Sequence, residues 1–237
     1  MVKNWMKACC LVAAMIGTAH AAQQTYVVGS GGTYRPFEFE NSQKQLEGFD
    51  IDIIKAIAKA EGFDIKLVNT PWEGIFATLS TGDRDIIISG ITITDKRKQM
   101  VDFSAPYFPA EQSIVVPADS KVTSLEALKS EKVGVVNSST GDIVVSDVLG
   151  KNSTSIKRFD NTPLMLQELF EDGVSAAVGD VGVVKYYIKQ HPEKQFKLVP
   201  DAKFERQYFG IAVAKGNSEL QAKINAGLQK IIADGTY

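Results

Sequence analysis

The sequence predicts an α/β protein with a largely parallel, buried sheet. Short apolar runs alternate with segments of helical periodicity, and glycine, proline or hydroxyl residues bound many of the runs. With 237 residues, 44% hydrophobic and 23% charged, the chain has the composition of a soluble globular protein with one large domain or two small ones. In such sheets ligands bind beyond the carboxyl ends of the strands, so the loops there are candidate sites.

The first residues carry the pattern of a secretory signal peptide. Lys3 and Lys7 precede an apolar run over 8–18, and a small-x-small cleavage pattern ends at Ala21. The run is too short to span a membrane. A buried N-terminal helix is the alternative, but such a helix usually carries polar residues at helical spacing. We therefore predict that residues 1–21 are a signal peptide, cleaved near Ala21.

Removal of this segment limits the chemistry of the mature chain. Cys9, Cys10 and His20 are lost, so the mature chain has no thiol and His191 as its single histidine. This excludes a disulfide framework, a cysteine nucleophile and a zinc site built from several His and Cys ligands, and no metal or cofactor is expected. The two lost lysines leave 24 basic against 28 acidic residues, a net charge of −4, which argues against nucleic acid as a partner.

The first half of the mature chain reads as alternating strands and helices. Apolar runs predict strands over 26–30, 65–68 and 85–89, and helical periodicity predicts helices over 48–60 and 72–80. This alternation of short strands and helices is expected for a largely parallel sheet covered by helices.

The helix over 48–60 is the clearest element. Ile53 and Ile57 recur at a four-residue step, and Gly62 ends the helix. Asp50 and Asp52 could form a paired-carboxylate site. The expected arrangement is simpler, with both acids on a solvated first turn, where they compensate the helix dipole.

The second half of the chain repeats this alternation. It predicts strands over 113–116, 132–136, 155–158 and 174–178, and helices over 124–129, over 163–171 and after Asp180.

Two strand ends carry glycine and hydroxyl residues. The first is Ser89-Gly-Ile-Thr-Ile-Thr-Asp-Lys-Arg97, and the second is Asn137-Ser-Ser-Thr-Gly141. Backbone N–H groups at such ends attract anions, and a guanidinium pairs bidentately with a carboxylate. Arg97 is therefore a candidate anion ligand. From the residues alone, a surface salt bridge with Asp95 or Glu61 explains it equally well.

Three motifs, taken in order, resemble one family. They are Gly48-Phe-Asp-Ile-Asp-Ile53, the segment from Ser89 to Arg97, and Val101-Asp-Phe-Ser-Ala-Pro-Tyr107. Together they resemble the polar amino-acid-binding proteins of bacterial ABC importers, solute-binding protein family 3, over about 26–237. The resemblance implies a monomeric periplasmic receptor whose partners are a free L-amino acid and a membrane permease.

The resemblance also implies a two-lobed type II periplasmic-binding-protein fold that closes on its ligand. Lobe 1 would comprise 22–110 and 205–237, and lobe 2 would comprise 111–204. Each lobe would have a mostly parallel sheet flanked by helices, and a two-segment hinge would pass near Ala110 and Phe204.

The resemblance assigns the two charged ends of the ligand. The α-carboxylate would bind Arg97, Thr92 and the backbone N–H of Thr140, and a lysine could not reproduce the guanidinium fork. The α-ammonium would meet the Gly90 carbonyl and the carboxylate of Asp180. On residue type alone, Asp180 is expected to be a helix N-cap.

The ligand side chain would lie between two aromatic rings. The resemblance places Tyr34 and Trp72 there, with Asn137 and Ser139 nearby. Such rings attract a guanidinium or ammonium by roughly 0.5–2 kcal/mol, although core packing is their commoner fate. The Ser139 hydroxyl could equally cap a local backbone group.

Two departures from the family pattern affect these expectations. Many relatives carry an aspartate where this chain has Gly31, so a carboxylate that could bind a cationic side chain is missing here. The turn around Gly31 also lacks the motif of a phosphate-binding loop. Relatives also continue with a short helix beyond the position of Tyr237. Arginine is marginally favoured as the ligand, with glutamine left open.

Two other functions are possible from the sequence. Periplasmic dehydratases acting on prephenate-like substrates share this resemblance; there Arg97 would hold a substrate carboxylate and Asp180 would be the general acid. An Asp180 ionised beside Arg97 suits an ammonium ligand better. The third possibility, the sensor domain of a signalling protein, is weakened because no membrane-spanning segment or output domain is expected after Tyr237.

Overall fold

The computed structural model describes residues 23–237, so the predicted signal peptide lies outside the described residues. The strands of the described part are β1 (Thr25–Ser30), β2 (Thr33–Tyr34), β3 (Glu38–Glu40), β4 (Leu46–Glu47), β5 (Asp64–Asn69), β6 (Ile86–Ile87), β7 (Val101–Phe103), β8 (Phe108–Ala110), β9 (Gln112–Pro117), β10 (Val133–Val136), β11 (Ile156–Phe159), β12 (Ala176–Asp180), β13 (Phe196–Val199), β14 (Gln207–Phe209) and β15 (Ala212–Ala214). The helices are α1 (Phe49–Glu61), α2 (Ala77–Ser80), α3 (Asp95–Lys98), α4 (Thr140–Leu149), α5 (Thr162–Phe170), α6 (Val181–Gln190) and α7 (Ser218–Ala233).

Two five-stranded sheets form the centres of two lobes. The first lobe has the order β5-β1-β6-β15-β7, and the second has the order β11-β10-β12-β9-β13. In each sheet the first three strands pair in parallel. The fourth strand, β15 or β9, pairs antiparallel with both of its neighbours, so four strands of each sheet run in one direction. The two-lobed, mostly parallel α/β prediction is confirmed.

The chain passes between the lobes twice, through one small ladder. β8 and β14 pair antiparallel, with Ala110 opposite Gln207 and Phe108 opposite Phe209. β8 precedes the second lobe in sequence and β14 follows it. The expected lobe boundaries, between 110 and 111 and between 204 and 205, fall at the end of β8 and shortly before β14, and they stay a prediction.

Both large sheets are buried on both faces. In the first lobe, the neighbouring residues Ile86 and Ile87 belong to cores on opposite sides of the sheet. Ile114 and Val115 do the same in the second lobe. Because successive side chains of a strand point to opposite faces, a sheet covered on both sides requires the continuous apolar runs seen in the sequence.

The C-terminal helix returns to the first lobe and packs on α1. A Cβ added at Gly227 would lie 2.8 Å from Cγ2 of Ile57, so the glycine permits a close approach of the two helices. Gly62 ends α1 with φ +68°, as predicted. Within residues 23–237, no helix is both long and apolar enough to cross a membrane.

Two predicted helices are wrong in extent or type. The segment 72–80 is an α-helix only over Ala77–Ser80, and Gly74 upstream adopts φ +75°, which a continuous helix does not allow. The segment 124–129 forms a 3₁₀ helix over Glu126–Ser130. Asp50 is also misplaced by the sequence prediction, because it is fully buried rather than solvated.

Candidate functional site

A cavity of about 360 Å³ lies between the lobes, within the range of small-molecule sites, roughly 300–1,000 Å³. It lies at the carboxyl ends of β1 and β6 of the first lobe and of β10 and β12 of the second. This is the position expected for a ligand site in α/β sheets. Most of the predicted site residues line it, namely Tyr34, Trp72, Gly90, Thr92, Ser139, Thr140 and Asp180.

Arg97 lies beneath the wall of this cavity rather than in its lining. Arg97 is 6% exposed, and its Nη1 donates to the Thr92 carbonyl at 2.8 Å. Nη2 donates to the carbonyl of Ser138, in the second lobe, over 3.4 Å. The guanidinium has five N–H donors, so these two bonds leave it capacity for a carboxylate.

The salt-bridge alternative for Arg97 is wrong. Asp95 pairs with Lys98 at 3.2 Å, and Glu61 pairs with Lys230 at 2.9 Å. Burial lowers the pKa of Arg97 to about 10, and the charge of Asp180 opposes this shift. The side chain therefore stays cationic at neutral pH, and it lies 5.1 Å from the ring of Trp72.

The loop after β6 is shaped by Gly90. It adopts φ +51°, and a Cβ there would lie 2.6 Å from Cε1 of Tyr34. Its N–H donates to Oδ2 of Asp50 at 2.7 Å. Any larger residue would clash with the Tyr34 ring, so glycine is required here by space as well as by backbone conformation.

Asp180 does not act as an N-cap. It precedes α6, but its side chain makes no capping hydrogen bond. Instead the Tyr34 hydroxyl donates across the cleft to Oδ2 of Asp180. Within the described part of the chain, the buried Oδ1 of Asp180 has no hydrogen-bond partner. A buried carboxylate oxygen without a donor is costly, so this atom is suited to a ligand cation.

The environment of Asp180 raises the pKa of its carboxyl group. Burial raises the pKa of Asp180, although the hydrogen bond from Tyr34 and the charge of Arg97 lower it. Desolvation is the largest of these causes, and it opposes the ionised form of Asp180 that the sequence predicts beside Arg97. A cationic group bound at Oδ1 would favour the ionised form.

The second lobe contributes the ends of β10 and α4. Thr140 is the first residue of α4 and is buried, so its N–H has no partner within the helix. The Ser139 hydroxyl caps α4 by accepting from the N–H of Asp142 at 3.1 Å, and the residue also lines the cleft. Asn137 is outside the lining, and its carbonyl accepts from Nε1 of Trp72 at 2.9 Å.

Sequence reasoning missed several polar residues of the site, and three of them are buried carboxyl or amide side chains. Glu38 and Gln112 line the cavity, at 1% and 8% exposure, and Asp50 lies behind Gly90. Within residues 23–237, Oε2 of Glu38 and both amide atoms of Gln112 have no hydrogen-bond partner. A single glutamate in a three-residue strand gives no signal of burial. The proximity of these residues to the cleft depends on how the sheets are arranged in space.

The cavity thus combines a buried cation in one lobe with an unpartnered carboxylate oxygen in the other. Between them lie aromatic rings and further acceptors. The arrangement is complementary to a small molecule that carries both charges and a polar side chain.

Comparison with known proteins identifies relatives over nearly the whole chain. The chain is 42% identical over 215 residues to a probable histidine-binding protein of Neisseria gonorrhoeae, with 90% of this chain and 80% of that one covered. The arginine-, lysine-, histidine-binding protein ArtJ of Geobacillus stearothermophilus has a similar structure, with a TM-score of 0.86, 39% identity, and 90% and 92% of the two chains covered. An ancestral arginine-binding protein, at 43% identity, with 91% and 95% of the two chains covered, has TM-scores of 0.85 when bound to arginine and 0.83 when bound to glutamine.

A family model also matches the chain. Residues 26–237 match the bacterial extracellular solute-binding proteins, family 3, so the match covers all but the first three residues that the structure describes. The chain belongs to the bacterial extracellular solute-binding proteins, family 3.

Proposed function

We propose that this protein is a receptor that captures a polar or basic L-amino acid and delivers it to an ABC permease. One observation carries the proposal. The buried Arg97 cation lies in one lobe behind the cavity wall at Thr92, and Asp180, whose Oδ1 is unpartnered within the described residues, lines the cavity from the other lobe. A free amino acid carries a carboxylate and an ammonium, and it would pair with both.

The two ends of the ligand are assigned as follows. The α-carboxylate binds Arg97 and the N–H groups of Thr92 and Thr140. The α-ammonium binds Oδ1 of Asp180 and the Gly90 carbonyl. The support is that Thr140 begins a helix, where an N–H is free, and that Asp180 has a free oxygen within the described chain.

The side chain of the ligand extends between Tyr34 and Trp72. Asn137 fixes the Trp72 ring through its carbonyl, and Ser139 offers a hydroxyl at the same wall. The aspartate missing at Gly31 has a substitute in Glu38, since a Cβ at Gly31 would lie 3.8 Å from Oε1 of Glu38. A carboxylate there favours a cationic side chain, so arginine is the first choice and glutamine the second. The arginine- and glutamine-bound structures of the ancestral relative are consistent with both.

Capture follows from contacts that cross the cleft. Trp72 donates to Asn137, Tyr34 donates to Asp180, and Tyr187 donates to the Thr33 carbonyl at 3.1 Å, each joining the two lobes. A ligand held by both lobes stabilises this closed arrangement by its differential affinity for it. Opening would occur at the ladder of β8 and β14, the proposed hinge, with the proposed lobe boundaries beside it.

The receptor is proposed to act as a monomer in the periplasm, after export by the signal peptide at 1–21, and without covalent chemistry. The relatives compared above are named as binding proteins. The dehydratase alternative requires Asp180 to deliver a proton to a leaving hydroxyl. Incubation with prephenate tests it, and release of phenylpyruvate would contradict the receptor function.

A thermal-shift screen of the purified protein against the twenty amino acids tests the proposal. A ligand at 100 times its Kd stabilises the folded state by about 2.7 kcal/mol, which raises the Tm by roughly 5–10 °C for a chain of this size. We expect the largest shift with arginine and a smaller one with glutamine. A shift with aspartate or leucine alone would refute the assignment of the cavity.

A further inference from the structure

Two buried carboxyl groups lie together behind the cleft wall. Glu38 of β3 and Asp50 of α1 are 1% and 0% exposed, and they accept hydrogen bonds from two consecutive residues, Ser89 and Gly90. Ser89 donates its hydroxyl to Oε1 of Glu38 at 2.8 Å. Asp50 accepts two further bonds, from the Gly90 N–H at 2.7 Å and from the Tyr107 hydroxyl at 2.9 Å. Asp50 thus accepts a hydrogen bond at each carboxylate oxygen, whereas Glu38 accepts one at Oε1 alone.

Within residues 23–237, the titratable groups around the pair are acids and tyrosines. The titratable groups that face Glu38 are Asp50, Asp180, Tyr34, Tyr107 and Tyr187. Those that face Asp50 are Glu38 and Tyr107. Among the ion pairs found within residues 23–237, none includes Glu38 or Asp50, and the charge of Arg97 acts on Asp180 and Tyr34 instead.

The two buried carboxyl groups lie close enough for the charge of Asp50 to act on Glu38. Two buried carboxylates without a cation cannot both be ionised at low cost. The donors to Asp50 favour its ionised form, so the proton belongs on Glu38. Burial and the neighbouring Asp50 raise the pKa of Glu38 well above its usual value, and burial raises the pKa of Asp50 to about 6.

Glu38 is also the member of the pair that reaches the cavity. It lines the cleft, and Oε2 has no donor within the described residues. Gly31, which borders it, has no side chain to cover it. A cationic group that enters at this wall would therefore meet the Glu38 carboxyl directly.

We propose that the Glu38–Asp50 pair holds one proton in the ligand-free protein and releases it when a cationic side chain binds, whereas a neutral side chain binds with the proton retained. This inference rests on the proposed function. The proton leaves Glu38 for solvent, and no covalent bond to carbon changes. With arginine bound, two carboxylates and one guanidinium give a buried charge of −1. With glutamine bound, one carboxylate and one protonated carboxyl group also give −1, so one site accepts either class of side chain.

Isothermal titration calorimetry at pH 7, in phosphate and in Tris buffer, tests the proposal. The difference in apparent enthalpy between the buffers gives the number of protons released. We expect arginine to release close to one proton and glutamine close to none, since the α-ammonium stays charged in both ligands. Below the pKa of Glu38, the affinity for arginine should rise by up to about tenfold per pH unit as the pH increases, because the bound form is deprotonated. The affinity for glutamine should stay constant.

Two variants complete the experiment. Glu38→Gln should release no proton with either ligand and should lose at least tenfold in arginine affinity, while glutamine binding shows that the protein is folded. Glu47→Gln removes an exposed carboxylate from the same small sheet and should behave as the wild type. Equal proton release by arginine and glutamine in the wild type would overturn this inference but leave the receptor function intact. Failure of every amino acid to bind would overturn both.

Discussion

Replacing Arg97 with alanine should abolish tight ligand binding while leaving the fold intact. The guanidinium is 6% exposed, and within residues 23–237 it makes no salt bridge, so the bound carboxylate would be its first anionic partner at bonding distance. Loss of one member of a buried ion pair costs about 3–5 kcal/mol, since the other charge is left desolvated. The expected loss in affinity is therefore roughly 150- to 5,000-fold.

The stability of the ligand-free variant should change little. Burial lowers the pKa of Arg97 to about 10, so the folded state bears a desolvation cost that alanine removes. That gain offsets the two lost hydrogen bonds to Thr92 and Ser138, worth about 1 kcal/mol each. We expect the Tm of the ligand-free protein to stay within a few degrees of the wild-type value.

The assay is calorimetric titration with the amino acid found in the thermal-shift screen. Arg84→Ala is a matched control, because Arg84 also donates two hydrogen bonds, to Thr70 and to the Asp83 carbonyl, but neither of these partners lines the cavity, whereas Thr92, the partner of Arg97, does. Arg97→Lys should fall between alanine and wild type, since an ammonium keeps the charge without the planar fork. Binding by Arg97→Ala within tenfold of wild type would refute the carboxylate assignment.

Three further perturbations test other parts of the site. Asp180→Asn should weaken binding by about 2–4 kcal/mol in calorimetry, through loss of the charge that faces the ammonium, and unchanged affinity would exclude that contact. Tyr34→Phe should weaken it by about 1.5 kcal/mol or more, because the hydrogen bond that joins the lobes at Asp180 is lost; an equal or tighter Kd would contradict this role. The third test is the free energy of unfolding in urea at pH 4 and pH 7. Burial raises the pKa of Asp50 to about 6, so the wild type should lose stability as the pH rises through about 6 and Asp50 ionises. Asp50→Asn should not show this loss. That difference is worth up to about 3 kcal/mol for a shift of about two pKa units, and identical pH dependence in both proteins would contradict it.

Much of the fold was predictable because its signals are local. The apolar runs at β1, β9, β10 and β12 and the helical periodicity of α1 depend on residues close in sequence. The helix over 72–80 was wrong for a local reason too, since Gly74 interrupts it. The short ladder of β8 and β14 joins segments almost 100 residues apart, and no periodicity within either segment indicates that pairing.

The site divides in the same way. The residues themselves placed Arg97 and Thr140 at strand ends rich in glycine and hydroxyls, and the resemblance supplied their proposed roles. The sequence could not decide between an N-cap and a ligand contact for Asp180, and it wrongly placed Asp50 in solvent rather than in the core. Those choices depend on Tyr34 and Gly90, which reach them from distant parts of the chain.

By itself, then, the sequence determined an α/β class, most of the strands and several of the helices, and an arginine after an anion-friendly loop. The family resemblance extended this to two lobes and an amino-acid ligand. Only the tertiary structure decided which acids lie in the cleft, what each one bonds and which oxygens are left free. The physical reason is that burial and hydrogen-bond satisfaction are properties of groups brought together by folding, and a carboxylate's charge follows from that environment rather than from its neighbours in sequence.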